Sequence, residues 1–188
     1  MDPVSESENA LEDLQKNISY YFKAENIGLL ERARTRKKYY EDVAHSQGEY
    51  QDELSLMGDW ILRRYLVERL IGMFHKQNGK LISLLEKMNA DFNKDWKLDT
   101  CSLNDCVSKA ASVLQDSQTL TSIGKSMKLD QPFLIKTNKS EADDLKKGMP
   151  DNRILSETVE AIIATIDKDG GSEAVEKVLN IWFLKVIG

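Results

Sequence analysis

Apolar residues recur at spacings of three and four along most of the chain, the mark of helices with one greasy face. Leu11, Leu14, Ile18, Tyr21 and Phe22 fall in an arc of about 100° on a helical wheel. Ser5 and Glu8, three residues apart, predict a capping box at the start of that helix. The stripe pauses at Asn26-Ile27-Gly28 and resumes through Leu29, Leu30, Ala33, Tyr40 and Ala44, up to a turn at Ser46-Gln47-Gly48.

From about Tyr50 to Asn78 the pattern is apolar on several sides. Tyr50, Leu54, Met57, Ile61 and Tyr65 make one stripe; Trp60, Val67, Ile71 and Phe74 a second; Leu62, Leu66, Leu70 and Met73 a third. Such a helix must be covered on several sides, which predicts the central helix of a bundle. Asn78-Gly79 marks a turn or weak point before Leu81, Leu85, Met88 and Phe92 continue the spacing.

Asn93–Thr100 is polar and reads as a connection, and beyond it the predicted helices are short. Ser102 and Asp105 cap one that carries Leu103, Cys106, Val107, Ala110, Val113 and Leu114. Thr119–Met127 is ambiguous, and Pro132 disfavours helix just before it. Ser140–Lys147 is a short polar helix ended by Gly148 and Pro150. Leu155, Val159, Ile162, Ile163 and Ile166 share one face, and Ala174, Val175, Val178, Leu179, Trp182 and Val186 another. Between them Asp167–Ser172 reads as a tight turn, with Gly170 or Gly171 at positive φ.

The expected fold class is therefore all-α. Residues 5–95 form a bundle or antiparallel hairpin of long amphipathic helices, and residues 100–188 a compact bundle of about five shorter ones packed against it.

Composition narrows the function. With 188 residues, 41% hydrophobic and 30% charged, the chain supports a sizeable core and is too apolar for disorder. No run approaches the ~20 apolar residues of a membrane span, and the acidic N-terminus lacks the order of a signal peptide. Two cysteines and no leader suit a reducing compartment, cytoplasm or nucleus. A net charge of −5 excludes a globally basic nucleic-acid glove, though not a local patch.

Reactive motifs are missing. His45 and His75 have no Cys, Asp or Glu at a standard ligand spacing, and no phosphate-cradling glycine loop or nucleophile elbow occurs. Asp167-Lys168-Asp169-Gly170-Gly171 fails as a calcium loop, because Ser172 and Val178 stand where glycine and glutamate are needed. Carboxylates are plentiful but cannot be paired from sequence alone. The reading is no catalytic residue, no metal and no cofactor.

Two features point to partners instead. Arg32, Arg34, Arg36, Lys37 and Lys38 form a basic run that could meet nucleic-acid phosphates, an importer or an anionic membrane surface. Lys37 with Glu41 and Lys38 with Asp42 at i,i+4 would instead make it a neutralised helix edge. Trp60, Arg63 and Arg64 carry the residue types of a protein interface. Leu81–Leu85 matches a docking motif but reads as core.

The expectation is a non-enzymatic interaction module (scaffold, adaptor or complex subunit), coiled-coil-like and self-associating or bound to another protein, with no small-molecule substrate. A nucleic-acid- or anionic-surface-binding regulator using Arg32–Lys38 is the second reading. A death-fold-like adaptor bundle in the last 85 or so residues is the third.

Overall fold

The structure, a computed structural model, describes residues 3–44, 48–91, 102–131, 134–148 and 152–187. Helix α1 spans Pro3–Ile18, α2 Ile27–Ala33, and α3 is a single turn, Lys37–Tyr39, running into a π-turn at Tyr40–Ala44. Then come α4 (Asp52–Asp91), α5 (Leu103–Leu114), α6 (Ser117–Ser126), α7 (Lys139–Lys146) and α8 (Arg153–Ile187). Among the described residues there is no strand, and Thr35 and Lys136 form an isolated bridge. The all-α class is as the periodicity implies.

Local signals account for most boundaries. Ser102 accepts from Asp105 N at 3.2 Å and Asn138 from Glu141 N at 2.9 Å, each satisfying a free donor at a helix start. Helix α7 ends before Gly148, at φ 64°. Gly171, at φ 71°, breaks α8 into two helical stretches, which with α5, α6 and α7 make five among the described residues of this half.

Three elements depart from expectation. Helix α1 begins at Pro3, so Ser5 lies inside it and not at its cap; a proline in the first turn forfeits no hydrogen bond. The stripe from Leu29 to Ala44 is cut into α2, α3 and the π-turn, because the chain leaves the helix around Thr35, where Arg34 O accepts from Lys136 N–H at 2.7 Å and Arg36 N–H donates to Lys136 O at 2.9 Å. Helix α4 passes through Asn78-Gly79 without a turn and runs 40 residues, about 60 Å. A glycine's ~1 kcal/mol penalty is small beside the burial of Leu84, Leu85 and Met88 further along. His45, the Asn93–Thr100 connection and the side chain of His75 lie outside the described residues.

The core runs through both halves. Leu14 and Ile18 of α1, Leu62, Leu66 and Leu70 of α4, Leu114 of α5, Leu120 of α6, and Leu155, Val159 and Ile162 of α8 are buried in one apolar cluster. Helix α4 packs along α8 and against α5, and α6 packs on α8. Trp182 Nε1 donates to Ile18 O at 3.1 Å, fastening the end of α1 to α8. No described helix is long and apolar enough to cross a membrane.

Candidate active site

The two long helices touch backbone to backbone at one glycine. A Cβ on Gly58 would stand 1.8 Å from the carbonyl oxygen of Glu160, so a glycine hydrogen is all this crossing admits. Whatever flanks the contact on either helix is thereby brought together. On α4 the flanking residues are Ser55 and Asp59, a helical turn apart; on α8 they are Glu157 and Glu160, likewise a turn apart.

Glu160 sits in a run otherwise buried, with Val159, Ala161, Ile162, Ile163 and Ala164 around it. Its carboxylate accepts the Ser55 hydroxyl at 2.7 Å. Burial pushes the Glu160 carboxyl up to about 7, and the nearby charges of Asp59 and Glu157 push the same way against the Ser55 hydrogen bond. Asp59 accepts from Gln115 Nε2 at 2.9 Å, which ties it to the end of α5.

Glu157 is differently engaged. Arg36 Nη1 and Arg153 Nε both donate to it, the latter at 2.5 Å. Burial works to raise this carboxyl, but the two guanidinium hydrogen bonds more than offset that and hold it below its ordinary range. Arg36 also reaches Glu141 at 3.3 Å. Two neighbouring acids on one helix are thus set apart chemically: one charged and ion-paired, the other poised to gain or lose a proton near neutrality.

Carboxylates brought together in this way often hold divalent cations, but these are otherwise engaged. Glu157 faces two arginines and Glu160 a hydroxyl. Among the described residues no three His, Cys, Asp or Glu side chains converge as a metal ion requires. The set does not fit a preformed metal cage.

The basic run is dispersed. Arg32 pairs with Glu49 and Glu53, and Arg34 is buried against Glu31. Arg36 turns into the acid cluster, Lys37 pairs with Glu41, and Lys38 lies 3.9 Å from Glu141. Asp42, the expected partner of Lys38, accepts instead from Asn138. Of the interface candidates, Trp60 is 69% exposed. Arg64 pairs with Glu68 at 3.1 Å, and Arg63 reaches Gln115 at 3.5 Å. Leu84 and Leu85 of the docking-like motif are buried.

Sequence reading missed Ser55, Asp59, Glu157 and Glu160. Two features could have drawn attention to them: a Gly-Asp pair within the most apolar helix, and a glutamate at 160 beside the apolar run Ala161-Ile162-Ile163-Ala164.

No family model matches the chain. It is 28% identical over 177 residues to Ribonuclease 3 of Clostridium tetani, covering 94% of this chain and 61% of that protein. It is 24% identical over 175 residues to Ribonuclease 3 of Syntrophobacter fumaroxidans, covering 93% and 60%. The chain thus spans about three-fifths of the length of these curated relatives. Among solved structures, it resembles the nuclease domain of ribonuclease III from Campylobacter jejuni. The TM-score is 0.63 at 23% identity, over 94% of this chain and 92% of that one. A second structure of that domain, concerned with flexibility in a region involved in dimer formation, matches with TM-score 0.61 at 25% identity, over 94% and 95%.

These likenesses correct the expectation of a non-enzymatic scaffold or adaptor, and with it the absence of a catalytic role and of a substrate. The relatives matched along nearly the whole chain are enzymes that act on RNA. The death-fold-like reading falls for the same reason, because the last 85 residues are part of one nuclease-like fold. The sequence carried no motif that said so, since the acids of the cluster come from helices about a hundred residues apart. In architecture, the chain has the all-α fold of a ribonuclease III nuclease domain.

Proposed function

We propose that this chain cleaves RNA at the acid face where α4 crosses α8. The observation that carries the reading is the pairing of Asp59 with Glu160 across the Gly58 contact, in a chain that resembles ribonucleases over 94% of its length. A carboxylate that titrates near neutrality suits a general base. Glu160 takes a proton from the attacking water as the water oxygen bonds to phosphorus, and the bond to the leaving ribose oxygen breaks, that oxygen taking up a proton from solvent to leave as a hydroxyl. Asp59 keeps the pocket anionic and raises the proton affinity of Glu160. Lys37 and Lys38, each more than half exposed, are the members of the basic run placed to meet backbone phosphates.

The assay is direct: 5′-labelled single- and double-stranded RNA incubated with the purified chain, with and without magnesium. Discrete products from the RNA are expected. No cleavage of either form above a boiled control would end this reading.

A second copy is the partner we assign to the open face of α4. Leu56 and Trp60 are 64% and 69% exposed, one turn apart, while Leu54, Leu62, Leu66 and Leu70 of the same helix are buried. An apolar strip of this kind on a monomer is normally covered. Sedimentation should give a dimer that Trp60→Glu converts to monomer; a monomeric parent would contradict it. We place the protein in the cytoplasm, in keeping with its bacterial relatives.

A further inference from the structure

Of the five cations in the basic run, one enters the acid cluster. Arg36 leaves the segment between α2 and α3, bonds its backbone N–H to Lys136 O at 2.9 Å, and puts one guanidinium nitrogen on Glu157 and the other on Glu141. With its amide oriented to satisfy both ends, Gln51 accepts from Arg36 Nη1 at 2.7 Å and donates to Ala33 O at 2.7 Å. The Arg36 side chain is 15% exposed, and that of Arg153, the other cation on Glu157, is 86% exposed.

That contrast decides which arginine matters. An exposed ion pair is screened and worth little, whereas a largely buried guanidinium is costly to desolvate and holds its geometry. The cluster would otherwise set Glu157 one helical turn from Glu160 with nothing buried to answer its charge. Two carboxylates that close cannot both ionise freely. Arginine suits the place because its planar fork reaches two acids at once, as a lysine ammonium cannot.

We propose that Arg36 is a positioning residue for the cleavage reaction: it fixes Glu157 in an ion pair beside the Asp59–Glu160 pair and offsets part of its charge, leaving Glu160 free to serve as the base. This rests on the RNA-cleaving reading above. Its role is exerted through Glu157 and not on the reacting atoms.

The test is single-turnover and steady-state cleavage of a 5′-labelled RNA duplex by the parent, Arg36→Met, Arg36→Lys, Glu157→Gln, and the Arg36→Met/Glu157→Gln double variant. Arg36→Met should lower kcat at least tenfold while KM stays within threefold. Arg36→Lys should recover part of that loss. In the Glu157→Gln background, where no charge is left to cancel, Arg36→Met should cost less than threefold further. Circular dichroism and melting separate misfolding, which a structural role would produce, from a loss in kcat alone. If Arg36→Met does not fold, Arg36→Lys and Glu157→Gln carry the comparison. Arg36→Met within threefold of an active parent, or losses that multiply in the double variant, would overturn the positioning role and leave the nuclease reading standing. An inactive parent would remove both.

Discussion

Replacing Gly58 by alanine tests the geometry on which the site depends. The added Cβ would lie 1.8 Å from Glu160 O and 2.4 Å from its carbonyl carbon, whereas ordinary contact begins near 3.4 Å. The obstruction is helix backbone, so no side chain can swing aside, and α4 and α8 must separate locally by about 1.6 Å. Overpacking a core against movable side chains costs ~1–3 kcal/mol, and a backbone clash belongs at the top of that range. Alanine returns ~1 kcal/mol of helix propensity. The net loss is roughly 2 kcal/mol, which for a domain of this size lowers Tm by about 4–8 °C. Activity should suffer more, because a shift of ~1 Å between reacting groups can cost a hundredfold. Gly72→Ala is the control: it lies in the same helix with nothing within 4 Å of the new Cβ, so it should stabilise by up to ~1 kcal/mol. Thermal melts and RNA cleavage rates of both variants decide the matter. A Gly58→Ala protein that melts at or above the parent, with its rate intact, would refute the backbone contact as what sets the site.

Glu160→Gln should change how stability depends on pH. The folded carboxyl is raised from about 4.5 to about 7, so its contribution is fully present below the unfolded value and is lost as pH rises through about 7. A displacement of that size is worth about 3 kcal/mol for a fully buried group and roughly half that for one partly in water. In urea melts the parent should therefore lose about 1–2 kcal/mol more than Glu160→Gln between pH 4.5 and 7.5; parallel curves would contradict this. Asp169→Ala should destabilise by about 2–4 kcal/mol, because this buried carboxylate accepts from Tyr20 Oη at 2.6 Å and Asn26 Nδ2 at 2.8 Å, donors left without it. Denaturant midpoints check it, and a loss under 1 kcal/mol would count against the network.

Much of the fold is legible in the residues because the core is written in helical periodicity. Leu155, Val159, Ile162, Ile163 and Ile166, grouped by spacing alone, are all buried on α8. On α4 the spacing presents three apolar stripes and does not say which faces inward. The structure buries Leu62, Leu66 and Leu70 and leaves Trp60 in the open. What periodicity cannot carry is the meeting of distant side chains. Asp59 and Glu160 are about a hundred residues apart, and nothing local to either announces the other. Gly58 of α4 and the backbone of Glu160 of α8 make the crossing together. The basic run shows the same limit: its residues are adjacent in sequence, but Arg34 is buried against Glu31 of its own helix whereas Arg36 turns to Glu141 and Glu157 from distant helices.

The most direct measurement is the single-turnover rate of RNA cleavage by the parent beside Asp59→Asn and Glu160→Gln, each shown by circular dichroism to be folded. If the α4–α8 acid face does the chemistry, Glu160→Gln should slow cleavage at least a hundredfold, as expected for removing the group that acts on the reacting atoms, and Asp59→Asn, which acts through Glu160, at least tenfold. Folded variants that cleave within threefold of the parent would show that the chemistry, if any, lies elsewhere on the molecule.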